Sequence, residues 1–232
     1  DIVLLDDNFA SIVSGIKQGR IIYANIKKAM SYIISIHIPI AGLSILPLFF
    51  GWPLILFPAH IVFLELIIDP ACSLVFESPQ GQDHIMKEHP RLLNSSFFSQ
   101  QSLLRSLLQG LLILTITSLL FWMGLKLANN NQYYARSLTF AMLVLSNMIL
   151  IFTNLTSGSL IQVKSVLRKK SNQLIPISIL IFLFLVFEIE FIRNLFQLAP
   201  LHFFEFLFLA AIAVAILASI FLWNKLILRI NS

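Results

Sequence analysis

Residues 54–76, LILFPAHIVFLELIIDPACSLVF, decide the fold, because an apolar run of membrane-spanning length carries two carboxylates inside it. Glu65 and Asp69 stand four residues apart, so on a helix both point from one face. A charge at mid-bilayer costs about 2.5–3.5 kcal/mol per residue, and two of them need a reason to be there. Pro70 follows at once; with no N–H to give, it leaves the carbonyl of Leu66 free between the two acids. Two carboxylates and a loose carbonyl form a cluster of hard oxygens suited to a cation.

The remainder of the chain has the same character. Of its 232 residues 58% are hydrophobic and 12% charged, and the mean hydropathy is +0.87. A soluble domain carries roughly 25% charge, so the composition predicts an all-α polytopic membrane protein. The apolar blocks fit six spans, at about 31–50, 54–76, 103–125, 137–157, 174–193 and 203–224. Gly51-Trp52-Pro53 reads as a tight turn between the first two. Pro39 in the first span should release the carbonyl of Ser35 and open that helix partway.

The net charge of +5 does not imply nucleic acid, because the basic residues are spread between apolar blocks. With the N-terminus inside, only Lys126, Arg136 and Arg193 fall outside, which places both termini in the cytosol. Lys164, Arg168, Lys169 and Lys170 are part of that bias, with contact to anionic lipid as a secondary reading. A single cysteine, Cys72, excludes an intrachain disulfide. There is no Gly-rich phosphate loop, catalytic triad or zinc-ligand spacing. The lipid bilayer is the first expected partner.

Residues 1–28 are not membrane. Ile2 to Leu5 has the pattern of a buried strand, and Asp6-Asp7-Asn8 is a turn. Phe9, Ile12, Val13 and Ile16 then repeat at helical spacing, with Gly19 the expected helix end. A strand and a helix cannot bury a core, so this is the end of a larger domain.

On depth, Asp69 lies about 10 Å and Glu65 about 16 Å from the cytosolic end of the second span, and His37 about 9 Å from that of the first. His37 is therefore a candidate partner of the acids, as ligand or proton carrier, the alternative being a bond to its own helix backbone. For Glu65 and Asp69 the alternative is a protonated pair bonding neighbouring helices. Two carboxylates close together without a cation must raise at least one pKa, which makes proton counter-transport a natural hypothesis. His60 points away from Asp69 and reads as packing. Cys72, within a turn of Asp69, reads as a small hydrophobe before it reads as a soft-metal ligand. Glu188, Glu190 and Glu205 near the outer span ends read as interfacial partners of Arg193.

Asp1-Ile-Val-Leu-Leu-Asp-Asp-Asn-Phe9 with Ser11-Ile-Val13, Gly19-Arg20, Tyr23 and Asn25 resembles the end of the phosphorylation domain of P-type cation-transporting ATPases. The similarity continues through Ile33-Ile-Ser35, Glu65 to Asp69, and the loop Asp83-His-Ile-Met86 to Pro90-Arg91. The resemblance is to the calcium-pump-like group. It implies a short strand-helix remnant of an α/β phosphorylation domain at 1–28 and a cation-transporter membrane domain at 29–232, the family's fifth to tenth helices. The Asp-Lys-Thr-Gly-Thr of the phosphorylated aspartate, the nucleotide and actuator domains and four further helices are not in these residues. ATP and Mg²⁺ therefore belong to a full-length parent, and the missing N-terminal part of that pump is the second expected partner.

Aligned on Tyr32-Ile-Ile-Ser35, the fifth-helix Asn and Glu ligands of calcium pumps fall on His37 and Ile40. Their sixth-helix Asn, Thr and Asp fall on Glu65, Ile68 and Asp69. The resemblance thus implies one cation site instead of two, built from Glu65, Asp69 and His37. Asn147, in the fourth span, either reaches it as the eighth-helix Glu of those pumps does or bonds a neighbouring helix. The transported cation is unidentified. The expected function is the C-terminal membrane part of an ATP-driven cation pump in a bacterial plasma membrane. A stand-alone six-helix channel or secondary transporter, or a truncated remnant that does not transport, are the rivals.

Overall fold

The computed structural model describes residues 8–70, 76, 85–87, 100–156 and 170–230, and their side chains except those of 69–70, 170–172 and 224–230. These residues form seven helices and no strand: α1 Phe9–Phe50, α2 Pro58–Pro70, α3 Gln100–Leu127, α4 Gln132–Leu155, α5 Lys170–Glu188, α6 Glu190–Leu195 and α7 Phe203–Ile230. The strand expected at Ile2–Leu5, the loop motif apart from residues 85–87, Cys72 and the basic cluster 164–169 lie outside the described residues.

Helix α1 sets the frame. Asn8 caps it, accepting from the Ala10 N–H at 3.0 Å, and Gly51 closes it at φ 64°, a left-handed conformation only glycine adopts without strain. Its 42 residues run about 63 Å, twice a bilayer's hydrocarbon thickness. Two expectations fail along it. Gly19 does not end the helix: it keeps helical geometry, and its missing Cβ costs no more than about 1 kcal/mol. Nor does the helix open at Pro39; it continues through Pro39 and Pro47. The reason is the neighbour. A Cβ on Gly110 of α3 would lie 2.7 Å from the Ser35 carbonyl and 2.7 Å from Ile38 Cβ, so α3 is packed against the turn that Pro39 weakens.

The turn after α1 is longer than expected. Residues 52–57 are irregular, and α2 starts at Pro58, not Leu54. Pro58 occupies the first helical position, where its missing N–H costs nothing. Two positions on, the His60 ring reaches back, its Nδ1 accepting the Phe57 N–H at 2.9 Å. This is the return half of a capping box. The ring is otherwise fully buried among Phe57, Phe140 and Phe196, in agreement with a packing role.

Contacts between helices give their directions. Ser31 meets Ser102, Ser35 meets Gln109 and Trp52 meets Phe121, so α1 and α3 run parallel. Gln109 meets Asn154 and Gly124 meets Ala135, so α4 runs against α3. Tyr134 at the start of α4 meets Glu205 at the start of α7, so these two run parallel. The chain must therefore return between each parallel pair. Phe76, stacked on Tyr32 with ring centroids 5.5 Å apart, marks where the α2 segment has come back to the level of Tyr32. Helix α4 is the axis of the bundle, buried on nearly every face, and one apolar core joins it to the other long helices.

Among the described residues four helices are long and apolar enough to cross a bilayer: α1, α3, α4 and α7. The α2 and α5 segments are shorter apolar helices among the described residues. The fifth expected span ends at Glu188, five residues early, where the chain breaks at Ile189 before the short α6. The acids at this end do not pair with Arg193. Glu205 accepts from the Tyr134 hydroxyl at 2.6 Å and from the His202 N–H at the start of α7, while Arg193 donates to the Phe187 carbonyl.

Candidate cation site

The structure brings two of the four candidate ligands together. His37 on α1 donates from Nδ1 to the Ile33 carbonyl at 2.8 Å, because only a protonated ring nitrogen can bond a carbonyl. This orients Nε2, which faces Glu65 Oε1 of α2 at 3.5 Å. In the neutral ring Nε2 carries a lone pair, so imidazole and carboxylate oppose each other across a gap suited to a proton or a metal ion. The backbone bond foreseen as the alternative role of His37 is present, and it is what aims the ring at Glu65.

The pair lies on an open face of the bundle. His37 and Glu65 side chains are 48% and 42% exposed, and Val62 and Leu66 beside Glu65 are 68% and 64% exposed. Asp69 is four residues beyond Glu65 on α2; its side chain lies outside the described residues. Among the described residues no group of three or more His, Cys, Asp or Glu converges. Ile40 and Ile68, onto which the resemblance would place two further ligands, are both buried in the apolar core.

Asn147 takes a different place. It is fully buried on α4, and its Oδ1 accepts from the Tyr32 hydroxyl at 2.5 Å. At 100° per residue, Tyr32 and His37 project about 140° apart around α1. Asn147 thus bonds the inner face of α1, whereas His37 lies on the outer one. Its Nδ2 is buried without a partner, which leaves polar capacity in the core beside Tyr32.

Below the pair, α1 reaches the loop that follows α2. Arg20 Nη1 donates to the Ile85 carbonyl at 2.8 Å, tying the N-terminal part of α1 to residues 85–87. The apolar stripe Phe9, Val13 and Ile16 at its start is exposed.

Residues 53–226 match the family described as cation transporting ATPase, C-terminus. The chain belongs to the P-type cation-transporting ATPases. Among individual members, it is 34% identical over 153 residues to a calcium-transporting ATPase of Bacillus subtilis, covering 65% of this chain and 17% of that protein. It is 39% identical over 128 residues to calcium-transporting ATPase 1 of Bacillus cereus, covering 54% and 14%. Against the sodium/potassium-transporting ATPase alpha subunit of Hydra vulgaris it is 43% identical over 93 residues, covering 39% and 9%. The chain spans less than a fifth of the length of these curated relatives.

Within this P-type ATPase segment, sequence reasoning missed Arg136. It read only as an outside charge, yet the side chain is 1% exposed. Its Nε and Nη2 donate to the Leu54 carbonyl at 3.3 and 2.9 Å, and Nη1 donates to the Gln197 carbonyl at 2.8 Å. The guanidinium also lies 4.5 Å from the centre of the Phe57 ring. One residue thereby joins the α1–α2 and α6–α7 connections to the start of α4. The signal was available: an arginine five residues into an apolar helix must find acceptors.

Proposed function

We propose that this chain is the C-terminal membrane part of an ATP-driven cation pump, with residues 29–232 crossing the bilayer six times. In this reading residues 1–28 end a phosphorylation domain and form a stalk. The parallel pairing of α1 with α3 and of α4 with α7 supports six crossings, since each pair requires a return. The charge bias supports cytosolic termini, and the Bacillus relatives suit a bacterial plasma membrane.

The observation that carries the reading is the His37–Glu65 contact on an open face. A carboxylate exposed to hydrocarbon costs about 2.5–3.5 kcal/mol, so that face needs a polar cover. Further helices of a full-length pump would supply it and complete a single cation site with Glu65, Asp69 and His37. Asn147 supports the site from behind, through Tyr32 on the opposite side of α1. Helix α1 is the coupling element: it runs unbroken from Phe9 to Phe50, so a tilt imposed at its extramembrane end is delivered to His37. The cargo is a cation held between imidazole and carboxylate, and a proton is the natural occupant when it leaves.

The test is cation-stimulated ATP hydrolysis by the full-length parent, scanned over Ca²⁺, Mn²⁺, Mg²⁺, Na⁺ and H⁺. One cation should stimulate it with an affinity that depends on Glu65 and Asp69. Cation flux through this chain in liposomes without ATP would replace the pump with a channel.

A further inference from the structure

The start of α3, the end of α4 and the middle of α1 line a cavity of about 350 Å³, and neither His37 nor Glu65 is part of its lining. Three cations line it, Lys27 and Lys28 of α1 and Arg105 of α3, together with Ser31, Ser102 and Gln109, and among the described residues no carboxylate lines it. The polar groups are organised. The Ser31 and Ser102 hydroxyls bond each other at 3.0 Å, and Gln109 Oε1 accepts from Ser35 and from Asn154 Nδ2, both at 3.2 Å. Arg105 is not satisfied in the same way: its Nε is buried without a hydrogen-bond partner. A buried guanidinium N–H costs free energy unless an acceptor reaches it, and the acceptor that also answers two lysines is a multivalent oxyanion.

A second cavity shares one wall with the first. A groove of about 330 Å³ between α3 and α7 is lined by Arg105 and Gln109 at one end and by Leu108, Leu111, Leu112, Ile220 and Trp223 along its length. A cationic pocket that shares Arg105 and Gln109 with an apolar groove matches the two halves of one amphiphile. Both lie at the end of the bundle where Lys27 and Lys28 precede the apolar part of α1, the depth of a lipid headgroup region.

We propose that this compartment binds an anionic phospholipid, with the phosphate among Lys27, Lys28 and Arg105 and an acyl chain along the α3–α7 groove. The inference rests on the chain being a membrane protein and does not depend on which cation is carried or whether one is. Its consequence is local: a phosphate here would clamp α1 to α3 just before α1 leaves the bilayer.

The protein, purified from membranes in neutral detergent as the full chain in which it is expressed, would be examined by native mass spectrometry. Phosphatidylglycerol and phosphatidylcholine of the same acyl chains would be compared, with inorganic phosphate as competitor. The expected result is a preference for phosphatidylglycerol of at least about tenfold, given three cations near the headgroup. Arg105→Gln and Lys28→Gln should each reduce it, and Lys126→Gln, at the far end of α3, should not. Ser219 of α7 also lines the groove, so Ser219→Trp, which narrows it, should weaken long-chain phosphatidylglycerol while sparing a short-chain form. Equal binding of the two lipids by the unaltered protein would overturn the proposal without any variant having to fold. Full displacement by millimolar inorganic phosphate, with no dependence on chain length, would also overturn it and make the site one for free phosphate. Neither readout involves cation-stimulated hydrolysis, so failure here leaves the pump reading intact.

Discussion

Replacing Arg136 by methionine should destabilise the bundle more than any other single change at the end where α4 begins. The substitution keeps an unbranched apolar stem, shortens the side chain, and removes three hydrogen bonds to two carbonyls and a guanidinium 4.5 Å from the Phe57 ring. Hydrogen bonds from a charged donor contribute about 1.5–3 kcal/mol each, and a partly desolvated cation–π contact about 1–2 kcal/mol. These do not add in full, because Nε and Nη2 share the Leu54 carbonyl and water at the interface can reach the vacated oxygens. A loss of about 3–5 kcal/mol is expected, the range seen when one side of a buried charged arrangement is removed. Arg136→Lys, with one ammonium for two carbonyls, should recover less than half. The assay is reversible unfolding in mixed micelles, followed by helix content and by Trp52 fluorescence, since Trp52 packs on Phe121 at the same end. A loss below about 1 kcal/mol for Arg136→Met would refute the reasoning, because it would mean that the two connections hold without the arginine.

Three further outcomes follow from the packing. Gly110→Val should separate α1 from α3 and lower the thermal midpoint by several degrees, because its side chain meets the Ser35 carbonyl, which cannot move aside as a flexible tip can. Gly42→Ala should do less, since the atoms it meets are the ends of Leu114. Tyr32→Phe should cost about 1–2 kcal/mol by leaving Asn147 with no partner in a dry interior, and the double variant Tyr32→Phe/Asn147→Leu should return much of it. Arg20→Gln should leave the melting of the bundle unchanged yet raise protease sensitivity near residues 85–87, as its contact with the Ile85 carbonyl lies outside the core.

The helical class and the order of the long helices were legible because apolar runs of this length have few other solutions. Local breakers were over-read. Gly19 and Pro39 weaken a helix in isolation, but whether they end or open it depends on the neighbouring helix: at Pro39 the neighbour is Gly110, more than seventy positions along the chain. Pro53 and Pro58 had the opposite fate, since two prolines flanking Leu54 to Phe57 allow an irregular connection that hydropathy alone counts as membrane span. For the site, depth arithmetic placed His37 on a level with Asp69, and the structure records its contact with Glu65, one turn away. Asn147 was read either as a ligand or as bonding a neighbouring helix, and that its partner is Tyr32 of α1 had no signature in the chain, because the two residues are 115 positions apart.

The central claim is that His37 and Glu65 hold the transported cation. The most direct measurement is cation-stimulated ATP hydrolysis by the full-length pump carrying Glu65→Gln, compared with Asn147→Ala and with the unaltered protein. Gln keeps the shape of Glu65 and removes the charge that faces the imidazole. The account predicts that the concentration of the activating cation needed for half-stimulation rises at least about tenfold, the equivalent of 1.4 kcal/mol, with a smaller change for Asn147→Ala. An unchanged half-stimulating concentration in Glu65→Gln, with hydrolysis retained, would contradict it.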